Sequence, residues 1–280
     1  MTVSSLCSKT AVLVAVLLAS FSLQAAAQQK AWFLPDMDEN FRVFSVAGGT
    51  TFARDTYLSA SRYNGFAVGV ENDSWTGYNP DKFFKYGRFY SSLFFGCLTN
   101  RLKGGSTLEL GGSEYIGFMR PVVECSACDL LIGPAVMVEG VILYNRQNSN
   151  NPVNYTGYIG AGLCVDNTFR FNMFRYPLAL QATLYVPFAG LGFAPDYDQP
   201  YYYMFKYWSY DKALHFVTPF NNQAFTQQIA LILPCRGNLI RVGYSFDYIG
   251  NSLGGHSRSM GSGMFTLGCA YRFQAKEWDL

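Results

Sequence analysis

Over residues 263–273 the chain alternates strictly: Phe265, Leu267, Cys269, Tyr271 and Phe273 fall on one face, and Met264, Thr266, Gly268, Ala270 and Arg272 on the other. A period of two belongs to a β-strand, whose successive side chains point to opposite sides. The first face suits an apolar surrounding and the second a crowded, partly polar interior. The preceding segment repeats the arrangement, with Ile240, Val242, Tyr244, Phe246 and Tyr248 opposite Leu239, Arg241, Gly243, Ser245 and Asp247. Further upstream Phe66, Val68 and Val70 alternate with Gly65, Ala67, Gly69 and Glu71. Residues 176–185 do the same less regularly, and 82–98, 106–120, 130–145 and 154–166 are rich in Tyr, Phe, Val and Gly on mixed faces.

The surrounding of the apolar faces follows from composition. Charged residues make up 14% of the chain and aromatics 17%, against ~25% charged in ordinary soluble domains. So few charges cover a water-exposed surface poorly. No internal apolar run approaches the ~20 residues of a spanning helix, because Arg, Asp, Asn, Gly or Pro interrupts each one. Hydrocarbon tolerates only helices or closed barrels, so the expected fold is all-β, a transmembrane antiparallel up-and-down β-barrel. A secreted β-sandwich is the alternative; it would turn polar faces outward, which this composition does not supply. Turn chemistry at 72–73, 77–80, 103–105, 148–152, 195–200, 236–238 and 251–255 divides the chain into about 12 strands, within a range of about 10–12, and single-chain barrels favour even numbers. Glycines within the strands suit the sharp curvature of a narrow barrel.

The first residues read as an export signal. Lys9 precedes the apolar run AVLVAVLLA at 11–19, and the small triplet Ala25, Ala26, Ala27 follows, as in a secretory signal peptide. A mature chain beginning at Gln28, with residues 28–280 as one barrel domain, is the expectation. Cys7 lies before the apolar run, which argues against a lipoprotein signal. Loss of Lys9 reduces 21 basic residues to 20 against 19 acidic ones, so nucleic acid is not an expected partner. Outer-membrane lipid and the barrel-assembly machinery are.

Several stretches carry a family likeness: DTYLS (55–59) with RYNG (62–65), NSNNP (148–152), YPLALQATLYVPFAGLGFAPDYDQPYYYMF (176–205), HFVTPFNNQAF (215–225), LIRVGYSFDY (239–248) and the closing strand. In their order and spacing the chain resembles an uncharacterised family of Bacteroidetes proteins, a domain of unknown function with a signal peptide and a barrel of outer-membrane type. The resemblance implies localisation and architecture and brings no site residue. The chain departs from the usual barrel ending, an aromatic residue of the last strand, by continuing as QAKEWDL after Phe273.

Candidate chemistry is sparse. Cys125 and Cys128 have CxxC spacing, but no second CxxC or His pair completes a zinc site; a local disulfide or two free thiols is the expectation, with no metal and no cofactor. His215 and His256 are the only histidines. In GGHSRS, alternation sets His256 on the face opposite Ser257 and Ser259, so no nucleophile and base pair shares a face, even with Asp247 across the hairpin. A lipid hydrolase is therefore the least favoured function. Glu71, Arg241, Asp247 and Arg272 stand opposite apolar rows, and an Arg facing mid-membrane lipid would cost about 2–4 kcal/mol. They are expected to face the lumen, while Phe265, Leu267, Tyr271 and Phe273 face lipid. Paired in a packed interior, such charges make a barrel of structural, interaction or narrow-pore role; hydrated, they line a small-solute or lipid channel. Tyr201, Tyr202 and Tyr203, with Tyr207, Trp208 and Tyr210, are expected at a membrane interface, with sugar stacking as their other use.

Overall fold

The computed structural model describes residues 39–274 except 78–81, 101–103, 148–151, 174–175, 197–203, 205, 211 and 236–237; for residues 39 and 272–274 it describes the backbone only. The expected signal peptide at 1–27, the final six residues and Tyr201 to Tyr203 lie outside the described residues. Eleven strands form among the described residues: β1 (Glu39–Asp55), β2 (Ser59–Gly77), β3 (Tyr86–Asn100), β4 (Gly105–Glu124), β5 (Cys128–Asn145), β6 (Val153–Met173), β7 (Tyr176–Phe193), β8 (Leu214–Val217), β9 (Asn222–Cys235), β10 (Asn238–Leu253) and β11 (His256–Gln274).

Each strand pairs antiparallel with its sequence neighbour from β1 to β7, β7 pairs with β9, and β10 and β11 follow; β1 pairing with β11 closes the ring. The barrel therefore has ten staves and not the expected 12. The four-residue β8 pairs only with β7, opposite Gly190 to Phe193. Part of the overcount has a clear cause. Asn72 and Asp73 read as a turn, yet both lie within β2, where Asp73 is 1% exposed. An inward charge in a strand looks like turn chemistry when its partner is far away in sequence.

Alternation sorts the faces as elementary strand geometry requires. In β11, Met264, Thr266 and Ala270 are buried, whereas Phe265 is 72% and Leu267 57% exposed. In β10, Arg241 and Ser245 are buried and Val242 and Tyr244 exposed. Among the described residues no second sheet covers the exposed set, and the single closed ring is not a sandwich. On β1 the outer face runs from exposed Arg42 through Phe44 and Val46 to exposed Arg54. Glycine is needed where interior side chains cross: Phe94 lies over Gly111 so closely that a Cβ there would overlap its ring.

The barrel has two rims. One carries the connections 56–58, 101–104, 146–152, 194–213 and 254–255; the other carries 78–85, 125–127, 174–175 and 236–237, and there β1 begins and β11 ends. We call them the long-loop rim and the terminal rim. At the long-loop rim Asp55 caps the β1–β2 turn, its Oδ1 accepting the Tyr57 amide at 3.0 Å.

Candidate functional site

The interior is crossed by a polar brace centred on Arg88, two residues into β3 from the terminal rim. Its side chain has no solvent exposure. Nε and Nη2 donate to the two oxygens of Asp73 at 2.9 and 2.8 Å. Nη1 donates to Asp166 Oδ2 at 3.2 Å and Thr183 Oγ1 at 2.9 Å, and Nη2 also to Gln228 Oε1 at 3.2 Å. These partners come from β2, β6, β7 and β9, so one guanidinium ties opposite walls together. Asp166 in turn accepts from Thr183 Oγ1 at 2.6 Å and Gln181 Nε2 at 2.9 Å. Arg241 approaches Asp73 at 3.5 Å. Rings fill the rest of the section: Tyr90 stacks on Tyr115 at 5.0 Å and Tyr115 on Tyr185 at 5.7 Å, while Arg88 lies over Trp75 at 4.8 Å. A planar guanidinium with five donors suits this many acceptors and also stacks on rings.

On the long-loop side of the brace lies a cavity of about 40 Å³. Its lining includes Glu109, Glu139 and Asp247 with Thr51, Met137 and Met260, and among the described residues it contains no Lys, Arg or His. Thr51 Oγ1 donates to Glu109 Oε2 at 2.7 Å, and Ser262 Oγ to Asp247 Oδ2 at 3.4 Å. Gly96 leaves room for this pair, since a Cβ would stand 3.0 Å from both Glu109 Oε2 and Thr51 Cγ2. A smaller void of about 10 Å³ adjoins it and shares Glu139, Val141, Ile249 and Met260. Beyond it Asp55 Oδ2 receives Arg258 Nε at 3.1 Å and Asn154 Nδ2 at 2.5 Å, a second brace from β1 and β11 to β6.

The wall beside the cavity is broken. β7 pairs with β9 from Ala179 to Tyr185 and with β8 from Gly190 to Phe193; the two registers differ by four residues, the length of the segment 218–221. β8 and β9 thus form one stave interrupted by an excursion. Asn221 holds it, accepting from Thr218 N at 2.7 Å and donating to Phe216 O at 2.9 Å. Residues 186–189 of β7 have no ladder partner on this side.

Of the residues singled out by sequence, Glu71, Arg241 and Asp247 stand on the inner face. Glu71 accepts from Ser245 Oγ at 2.9 Å. Asp247 accepts from Ser262, opposite it on β11, whereas His256 stands opposite Leu253 at the hairpin end. Phe265, Leu267 and Tyr271 are on the outer face; the side chains of Arg272 and Phe273 lie outside the described residues. Cys125 and Cys128 are free, with Cys125 Sγ accepting the Cys128 amide at 3.2 Å. His215 Nε2 lies 3.0 Å from Ala194 O, and His256 meets Tyr57 edge to face at 5.4 Å. Trp208 and Tyr210 pack at 6.1 Å. Sequence reasoning missed Arg88, Asp73 and Asp166. Arg88 in YGRFYSS follows the same alternation as Arg241, but the mixed apolar residues on both faces of that segment hid its register.

Residues 11–276 match the protein family described as "Protein of unknown function (DUF3316)". No curated protein matches the chain. Among solved structures, the outer membrane protease OmpT from Escherichia coli has a TM-score of 0.50 at 8% identity, over 88% of this chain and 100% of that one. Neisserial surface protein A gives 0.34 at 11% identity, over 83% and 97%. The P. putida toluene transporter TodX gives 0.27 at 9% identity, over 86% and 91%. The first likeness shows a shared closed-barrel fold, and no role passes with it.

Proposed function

This chain belongs to the DUF3316 family, whose function is unknown, and from that premise we propose that it is an outer-membrane β-barrel of structural or interaction role, closed to bulk ion flow and without catalytic activity. The carrying observation is Arg88, fully enclosed and bonded to residues of four strands across the lumen. A passage for hydrated ions needs water-lined charges, and these charges are spent on one another.

The membrane assignment rests on the outer surface. Phe44, Val46, Phe66, Val68, Leu93, Phe95, Ile116, Val136, Leu191 and Phe265 are all exposed. A continuous apolar surface of this kind is rare on soluble monomers. Arg42 and Arg54 bracket the apolar part of β1 at a separation that fits the roughly 9–11 residues of a spanning strand. Arg62 over Phe52 at 4.0 Å and Arg120 over Phe83 at 4.3 Å put cations beside rings near opposite rims, as interfacial side chains do. Longer loops face outward in such barrels, so the long-loop rim faces the exterior and the terminal rim the periplasm. Export through the signal at 1–27, insertion by the assembly machinery and lipid as the surrounding partner complete this reading.

The test is planar-bilayer recording on purified, refolded protein. No stepwise conductance is expected from the native chain; steps of constant amplitude would overturn the closed reading in favour of a solute channel.

A further inference from the structure

In hydrocarbon every backbone N–H and C=O must be paired within the protein. The gap in the β7 ladder therefore requires an explanation if the barrel spans a membrane. Pro187 lies in the gap and has no N–H to satisfy; Val186 and Ala189 pair with Leu163 and Ala161 of β6, which leaves Phe188 as the residue of the gap laddered on neither side. The β6–β7 ladder also shifts register here, and Phe188, which it skips, is 53% exposed on the outer surface. The break thus combines a bulge on the β6 side with an unladdered stretch on the β9 side.

It opens on the cavity. Pro187 from one lip and Ala224 and Phe225 from the other belong to the cavity lining. Outside, Leu184, Phe188, Leu191 and Phe216 are exposed apolar side chains around the gap. Inside, Glu109, Glu139 and Asp247 face the cavity. Arg258 lines the adjoining void with Glu139 and acts on that carboxylate electrostatically, while its Nε donates to Asp55 Oδ2. In the same void Asn222, 4% exposed, has an Oδ1 with no hydrogen-bond donor among the described residues. Three carboxylates stand in the cavity lining among the hydroxyls of Thr51, Ser92, Ser113, Thr226 and Ser262, and among the described residues that lining holds no cationic donor. Buried charges require such a partner.

Size limits that partner. A cavity of about 40 Å³ holds roughly three water-sized groups, at about 10–15 Å³ each. An ammonium fits; a bulky head group or a whole alkyl chain does not. Among the described residues no His, Cys, Asp and Glu group has metal-holding geometry, so the carboxylates do not form a metal cage.

We propose that the β7/β9 gap is a lateral port at which a lipid-dissolved primary alkylamine places its ammonium in the lumen cavity, its tail remaining in the gap and the bilayer. This rests on the membrane-barrel reading above. Bound there, the ammonium donates hydrogen bonds to Glu139 and Asp247, and the apolar lips Pro187, Phe188 and Phe225 cover the first carbons of the tail.

The experiment uses the full mature chain in phosphatidylcholine vesicles. Flotation and protease protection are measured first; a protein that does not float with the vesicles defeats the membrane reading itself. Decylamine, decanol and decanoate are then titrated calorimetrically, with protein-free vesicles as the blank. Saturable binding of decylamine alone is expected, weakened about 30-fold or more in Glu139→Gln/Asp247→Asn, as when one partner of a buried charge pair is lost. Pro187→Trp, which fills the gap, slows association in stopped flow, and Phe188→Ala, which widens it, accelerates association. Equal binding of decanol, or no saturable decylamine binding by inserted protein, overturns the ligand. Unchanged association rates in both gap variants overturn the port.

Discussion

Arg88→Met separates a lumen held by its charge network from one held by its strands alone. The guanidinium makes five hydrogen bonds, three of them to the carboxylates of Asp73 and Asp166, and its side chain is wholly enclosed. Met is similar in length but leaves two carboxylates in an interior with only Arg241 nearby, at 3.5 Å from Asp73. Removing one member of a buried ion pair costs about 3–5 kcal/mol, because the charge left behind is uncompensated. With a urea slope of about 3 kcal/mol per molar, the unfolding midpoint should fall by about 1–2 M. Arg88→Lys should fall between, since an ammonium keeps the charge but cannot fork both Asp73 oxygens while reaching Asp166 and Gln228. Adding Asp73→Asn and Asp166→Asn to Arg88→Met removes the stranded charges and should recover most of the loss. The assay is urea titration in lipid vesicles, read by gel mobility of unheated samples. If Arg88→Met unfolds within about 0.5 kcal/mol of the native chain, the size of an ordinary surface change, the brace does not hold the interior and the reasoning fails.

Two further outcomes follow from the placement of single residues. Glu114 is exposed on the outer face of β4 between apolar Ile116 and Leu110, in a groove of about 460 Å³ with Asn72, Ser91 and Gly112. A carboxylate facing lipid costs less than the ~2–4 kcal/mol of an Arg, so Glu114→Leu should raise the same urea midpoint by an amount equivalent to about 1 kcal/mol; a lowered midpoint would mean that Glu114 has a partner or does not face lipid. Cys125 is exposed at the terminal rim and Cys164 is 0% exposed, so a water-soluble maleimide should modify Cys125 in the folded protein and reach Cys164 only after unfolding, as mass spectrometry of the peptides will report.

The alternation of 239–248 and 263–273 was enough to assign both faces of β10 and β11, because with one side apolar a one-residue slip would invert every side chain. The low charge content and interrupted apolar runs were enough to select a closed barrel. The alternation is a local property, legible within about ten residues of one strand, and the composition is read from the chain as a whole. The stave count was not local: Asp73 looked like a turn until Arg88, Asp166 and Arg241 stood around it, and such partners are separated by up to 168 positions. The broken stave was equally hidden, since only pairing with β7 divides HFVTPFNNQAF into β8 and the start of β9. Sequence alone therefore determined which side chains of β10 and β11 turn inward. Tertiary structure decided which of them meet, because closing the ring brings β2, β3, β6, β7 and β9 to one level of the lumen, and no periodicity along the chain encodes that distance across it.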